Sequence, residues 1–346
     1  MKGILSLYKQ MHLTAKISFW GILILYSVTL MAPILAPYDY AEQHRKHPHA
    51  PITKIHFIHQ DENGSKIGWP YVCQYKLTDV KRRIYKEDVN KKYAIQFWTE
   101  DNRLFGTEKR GKIFLLGTDS VGRDIFSRIL YGGRISLTIP LAGVFISLFF
   151  GLLIGSVSGY FGGLTDDFVM GMCLIIMSIP GFPLLIVLAG VIPSGVSSAM
   201  TFLMIVVIMS FIGWAGLARV IRGMTASTRE QDFVTASKAL GASHWWIITR
   251  HILPSVLNYA IISASMSIPG YIMGESGLSM IGLGIQEPQA SWGNMLSEAM
   301  KNVQILSSQP TLLVPGLMIL FTVMYFNFLG DFLRDFYDPR TKRSLG

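Results

Sequence analysis

A chain of 346 residues that is half apolar and only 15% charged falls well short of the roughly one quarter of charged residues in soluble domains, which excludes an ordinary water-soluble fold. Its formal charge of +9 sits largely in loops flanking apolar stretches, a pattern set by membrane topology rather than by a nucleic-acid footprint. Two cysteines, Cys73 and Cys173, lie far apart with no CxxC or other ligand-like spacing, so both are read as structural and no metal ligand is expected.

Stretches of roughly 18 or more residues without Lys, Arg, Asp or Glu are long enough to cross about 30 Å of hydrocarbon as helix. Six occur, at 17–36, 135–161, 168–192, 199–218, 255–273 and 312–329. The first follows Lys2, Lys9 and Lys16, but its apolar core outruns that of a signal peptide and has no A-x-A site, so a retained first helix is expected.

Residues 38–115, after that helix, read as a small folded insertion. Residues 52–58 alternate apolar and polar, Asn63-Gly64 signals a tight turn, 69–75 can return as a strand, and 93–98 form a second β-like run. His44, His47 and His49, with His56 and His59 nearby, offer metal donors, but without a neighbouring Cys or a helical spacing they read as solvated loop residues. Gly106-Thr-Glu-Lys-Arg-Gly111-Lys112 resembles the start of a phosphate-binding loop, yet Ile113 stands where Mg²⁺ ligation needs Ser or Thr, so no nucleotide is expected there.

Helix breakers punctuate the later spans: Pro140, Ser178-Ile179-Pro180-Gly181 with Pro183, Pro269-Gly270 and Pro315-Gly316. Within a membrane, such breaks require neighbouring helices or a water-filled path to satisfy the freed backbone. Glu275 is the nearest candidate for the intramembrane ionisable group of an ion-coupled carrier, and it reads as an outer-interface residue. Neither HExxH nor GxSxG is present, so no enzymatic constellation is available.

Short-loop Lys and Arg fix the expected orientation. With the N-terminus inside, Lys2, Lys9, Lys16, Arg219, Arg222, Arg229, Lys238, Arg250, Arg334, Arg340, Lys342 and Arg343 fall on the cytoplasmic side, and the short outer loops hold only Lys301. The cytoplasmic loop after the fourth span predicts a short amphipathic helix: Phe233, Ala236 and Leu240 share one face, and Gly241 is placed to cap it. A helix that short needs packing to persist, either in a partner's groove or on the membrane surface.

Thr235-Ala-Ser-x3-Gly241-x9-His251-x-Leu253-Pro254 resembles the EAA loop on which ATPase subunits dock in bacterial ABC importers. Thr235 stands where that pattern has Glu, Ser237 where it has its second Ala, and His251 where it has Ile. Residues 116–137 (LGTDSVGRDIFSRILYGGRISL), 159–163 (GYFGG), 282–288 (GLGIQEP), 291–296 (SWGNML), 330–335 (GDFLRD) and 338–340 (DPR) are similar to the dipeptide, oligopeptide and nickel permeases, specifically the second chain of their permease pair. The resemblance runs from about residue 116 to 340.

It implies an all-α membrane protein of six transmembrane helices with the type I ABC importer permease fold, interrupted by a small β-rich extracytoplasmic insertion. The organisation would be 1–37, N-terminus and first helix; 38–115, insertion; 116–340, permease core; and 341–346, cytoplasmic tail. It further implies a transport subunit of the bacterial inner membrane with both termini cytoplasmic, carrying di- or oligopeptides or, as the alternative, nickel or another metal chelate. Implied partners are a homologous second permease, one or two ABC ATPases holding the ATP and Mg²⁺, an extracytoplasmic substrate-binding protein and membrane lipid. ATPase docking is expected at Glu230, Asp232, Phe233, Thr235, Ala236, Ser237, Leu240, Gly241, Ala242 and Trp245.

Overall fold

The computed structural model describes residues 8–61, 64–79, 83–99, 101–107, 111–193, 195–301 and 303–337. Lys2, Asn63 of the expected turn, residues 108–110 of the Gly-Lys run, and Asp338, Arg340, Lys342 and Arg343 lie outside them.

Helices α1 (Leu13–Leu30), α3 (Ile125–Phe161) and α6 (Ser198–Arg229) are each long and apolar enough to cross a membrane, as are the segments His244–Met280 and Pro310–Tyr337. A four-residue helix α2 (Ala32–Leu35) follows α1. Most observed spans overrun their charge-free cores, because a helix continues beyond hydrocarbon where side chains such as Arg134 and Arg222 reach polar partners.

The third span is broken at the helix breakers expected within it. It consists of α4 (Gly163–Ser178) and α5 (Gly181–Gly190), which meet at 88°. Ile179 precedes a proline and is driven out of the helical region (φ −92°, ψ 129°), Pro180 is also extended, and neither Pro180 nor Pro183 can donate a backbone hydrogen bond. By contrast Pro140 stays inside continuous α3 and Pro269 inside continuous α9 (Leu253–Met280). Pro315 lies in the first turn of α12 (Val314–Tyr337), where a missing N–H costs nothing.

Packing divides the chain into two compact units. The first comprises Leu137–Leu278 with Met1–Ile22 and Ile319–Gly346. Within it, Gly151, Gly155 and Gly159 form a stripe on α3 at four-residue spacing, and α6 lies directly against it. A Cβ on Gly155 would stand 2.6 Å from the Ala218 carbonyl oxygen and 2.9 Å from Ile221, so only glycine allows this approach. Asp166 at the start of α4 receives Arg222 through Nε (2.7 Å) and Nη2, and the Ser158 hydroxyl (2.7 Å). Cys173 packs with Ile176, Trp214, Ala215 and Ala218, in keeping with a structural cysteine.

The second unit comprises Leu23–Ser136 with Ser279–Met318. It contains a four-stranded antiparallel sheet in the order β1 (Ile55–Asp61), β2 (Gly64–Asp79), β3 (Ile84–Phe97), β4 (Phe105–Thr107). Val72, Ile95 and Ile113 form its apolar core. Gly106 is an extended β4 residue paired with Gln96, which is strand and not phosphate-loop geometry.

The loop histidines correct the expectation of solvated side chains: His44, His47 and His49 are buried. His44 packs edge-on to Tyr38 (4.6 Å between ring centroids) and His47 lies 5.7 Å from the Phe114 ring. His49 Nδ1 pairs with Gln309 Oε1 at 3.2 Å. Burial, with Lys112 adding to it, lowers the His44 pKa to about 4, so the imidazole is neutral at pH 7 and its 3.7 Å approach to Glu42 is no ion pair.

The conspicuous motifs of the sequence meet here. Buried Arg123 donates to Asp119 Oδ2 through Nε (2.6 Å) and grips Glu287 with both terminal nitrogens (2.8 and 2.7 Å), a bidentate geometry only a guanidinium supplies. Arg128 reaches the same Asp119 oxygen at 3.1 Å, and Glu298 accepts the Ser120 backbone N–H at 2.9 Å. The hydrogen bond from Arg123, ahead of the opposing effect of burial, holds the Glu287 carboxyl below the usual carboxylate range. Helix α10 (Trp292–Lys301) locks on through Trp292, whose indole N–H donates to the Ile129 carbonyl (3.0 Å) and whose backbone N–H donates to Ser136 Oγ (3.0 Å). Short helix α11 (Val303–Leu306) contributes Ile305 and Leu306 to the apolar cluster beneath.

Candidate functional site

Two features of the first unit can do mechanical work: the loop after α6, and a cavity at the broken span. The loop opens at Arg229, whose Nη1 donates to the Tyr160 carbonyl at 3.1 Å and whose Nε donates to Glu230 at 2.9 Å. Helix α7 (Asp232–Ala239) follows. It ends as the sequence predicts: Gly241 adopts φ +85°, its N–H donates to the Lys238 carbonyl, and the Ala242 N–H reaches back to Ser237, both at 3.0 Å. These two bonds form a complete Schellman closure. No atom lies within 4 Å of a Cβ placed on Gly241, so the residue is required by its backbone angle and not by crowding.

Val234 anchors α7. It is fully buried among Tyr160, Ile247, Ile248 and Ile252, a role the sequence periodicity did not reveal because the apolar face it identified points the other way. Phe233, Ala236 and Leu240 are exposed, Leu240 at 88%. Glu230, Asp232, Thr235, Gly241 and Trp245 are also exposed, while Ser237 and Ala242 are half-buried.

Beyond the closure, Ser243 caps α8 (His244–Ile247) by accepting the Trp246 N–H. A π-helical turn, Ile248–Ile252, then feeds directly into α9. His244 Nδ1 pairs with the Tyr160 hydroxyl at 2.9 Å, and the Lys238 ammonium lies 5.1 Å over the Tyr160 ring. Helix α7 is thereby tied to the ends of both α3 and α6 and to the start of α9.

The cavity, about 750 Å³, lies where α5, α6 and α9 approach one another, and Phe182, Leu185, Met209, Met266, Tyr271 and Gly274 contribute to its wall. Among the described residues no charged side chain lines it. Tyr271 is fixed by its hydroxyl, which donates to the Met209 carbonyl (3.1 Å) and meets Ser147 Oγ (2.5 Å). Gly213 faces that hydroxyl so closely that a Cβ there would overlap it. Glu275 is fully buried within the packed protein and accepts the Ser276 hydroxyl at 3.3 Å, on a helix that continues to Met280.

The family model for binding-protein-dependent transport system inner membrane components matches residues 151–343. The chain belongs to this family. It is similar to the oligopeptide transport system permease protein OppC of Haemophilus influenzae, 40% identical over 227 residues that cover 65% of this chain and 70% of the relative. The glutathione transport system permease protein GsiD of Pectobacterium atrosepticum is 37% identical over 227 residues, 66% and 73% of the two chains. The dipeptide transport system permease protein DppC of Lactococcus lactis is 34% identical over 261 residues, 72% and 74%. As a transport component of the inner membrane, this permease carries the loop and the cavity inside the matched segment, whereas its four-stranded sheet falls before residue 151.

Proposed function

We propose that the chain is one of two permease subunits of an ATP-driven peptide importer, with nucleotide and Mg²⁺ held on partner ATPases that dock on α7. The observation that carries this reading is the two-sidedness of α7: Val234 holds it to the permease while Ala236, Leu240 and the outer part of Phe233 are exposed, the geometry of a helix presented to a partner's groove. Oligopeptide, dipeptide and glutathione appear in the relatives' names, which favours peptides over a nickel or other metal chelate.

In this mechanism the ATPases approach one another on binding nucleotide and displace α7. The Arg229–Tyr160 and His244–Tyr160 contacts carry the displacement to α3 and α6, and the π-helical turn carries it to α9. The cavity walls then move as a two-state element biased from a distance, opening toward an extracytoplasmic binding protein and, after hydrolysis, back toward the cytoplasm. Lys and Arg flanking the short loops support cytoplasmic termini.

The experiment is co-purification of the permease with its ATPases, followed by ATPase assay with and without peptide-loaded binding protein. Leu240→Asp changes a side chain that touches little of the permease itself, so it should leave folding intact and abolish both association and peptide-stimulated hydrolysis. Retained ATPase association in that variant, or uptake driven by an ion gradient without any ATPase, overturns the reading.

A further inference from the structure

We propose that His56, Cys73 and Glu87 form a binding site for one divalent transition-metal ion of the zinc class, which clips edge strand β1 to β2 and, across β2, to β3. Strands β1, β2 and β3 each contribute one donor. His56 stands opposite Tyr71, and Tyr75 opposite Glu87. The β2–β3 register shifts between Cys73 and Gln74, and the irregularity there brings the donor of β2 beside those of its neighbours. Their ligand atoms lie within 4.8 Å of one another, and His56 Nε2 is 3.2 Å from Glu87 Oε2.

Imidazole nitrogen, thiolate sulfur and carboxylate oxygen are the donors zinc takes, at about 2.0–2.3 Å. A tetrahedral ion at those radii separates its ligands by about 3.3–3.6 Å. The imidazole and carboxylate are already near that spacing at 3.2 Å, and the thiol, within 4.8 Å of both, closes the remaining distance on binding. The surroundings orient the carboxylate. Tyr75 donates its hydroxyl to Glu87 Oε1 at 3.0 Å, which leaves Oε2 turned toward His56, as an outer hydrogen bond does in established metal sites. Lys54 also approaches Oε1 (3.6 Å), but its side chain is largely exposed and free to swing away. Cys73 is buried while His56 and Glu87 keep partial access to solvent, so an ion can enter from the open side, displace the thiol proton to water, and retain a fourth position for a water ligand. Linear spacing hides this set: Cys73 lies seventeen positions after His56 and Glu87 fourteen positions after Cys73, and only strand pairing unites them.

The test uses the full-length permease in detergent, purified with a tag free of histidine, stripped with chelator and titrated with zinc against a chromophoric competitor. We expect one zinc per chain, a thiolate-to-cobalt charge-transfer band when cobalt(II) replaces it, and a rise in melting temperature on metal addition. Cys73→Ser and Glu87→Gln should each weaken binding about tenfold or more, and Cys173→Ser, remote in sequence and packed elsewhere, should not. Glu87→Gln keeps shape and hydrogen-bonding capacity, so it reads the site even where Cys73→Ser fails to fold. Absence of stoichiometric binding, unchanged affinity in Glu87→Gln, or a cobalt complex without the thiolate band overturns the proposal.

Discussion

Ser237 and His251, fourteen residues apart in the chain, meet at 3.1 Å between Oγ and Nε2, and they are two of the positions at which the loop after α6 differs from the EAA pattern it resembles. Ser237 also donates its hydroxyl to the Phe233 carbonyl at 2.8 Å. With that proton committed to the carbonyl, the hydroxyl oxygen is left to accept from His251 in the tautomer that carries its proton on Nε2. The imidazole is further framed by the rings of Phe233 (5.3 Å) and Trp246 (5.1 Å). The hydroxyl and the imidazole thus pair with each other within the loop. The expected outcome is non-additivity. Ser237→Ala and His251→Ile should each lower stability, and the double variant should recover about 0.5–1.5 kcal/mol relative to their sum. A thermal-unfolding double-mutant cycle measures this, and additive effects would remove the pair from the account of the loop.

The Schellman closure at Gly241 separates conformational cost from steric cost. With φ at +85° and no neighbour within reach of a Cβ, Gly241→Ala should destabilise the end of α7 by about 1–2 kcal/mol. Gly241→Asn, whose side chain tolerates the left-handed region, should cost less. Hydrogen exchange across residues 232–240 reports the difference as faster exchange in the alanine variant. Equal protection in both would mean that the closure does not govern the helix.

Gly213 and Tyr271 make a second testable pair. Gly213→Ala places a methyl where the Tyr271 hydroxyl now sits and should drive that ring from its bonds to Met209 and Ser147, reshaping the cavity wall. Peptide uptake should fall sharply while ATPase association persists, and Tyr271→Phe in the same chain should restore part of it by removing the overlapping oxygen. Failure of the second substitution to help would assign the loss to some other contact of α6.

What the sequence made legible follows from the range of each interaction. Span cores were readable because a run without charges is a local property, and Gly241 was readable because a helix terminus is set by one residue's backbone. The break at Ile179-Pro180 was visible as punctuation, but its 88° bend depends on two prolines acting together while Pro140 and Pro269 remain in continuous helices. Val234, the Arg123 clamp and the buried histidines were not readable. Each owes its role to partners far along the chain, such as Glu287 for Arg123 and Gln309 for His49, and no periodicity encodes such pairings.

Asp124 offers the sharpest dependence on pH. It caps α3 by accepting both the Ser127 backbone N–H (2.7 Å) and the Ser127 hydroxyl (2.6 Å) at Oδ2. Burial nevertheless dominates those bonds and pushes its pKa up from 3.8 to about 7. A carboxyl whose folded pKa is raised binds more protons folded than unfolded between those two values, so its contribution to stability declines as pH rises from about 4 to about 7. Asp124→Asn keeps the cap acceptor and cannot ionise. The variant should gain on wild type across that window and stay ahead above pH 7, whereas Asp124→Ala should lose about 1 kcal/mol of cap at acidic pH. Histidine titration adds a slope of opposite sign, since His44 with its lowered pKa costs stability as pH falls from about 6.5 toward 4. Both variants retain His44, so the difference from wild type isolates Asp124. Melting temperatures of the three proteins at pH 5, 6, 7 and 8 are the measurement, and a wild-type-to-Asn difference that stays flat with pH would show that Asp124 is ionised throughout.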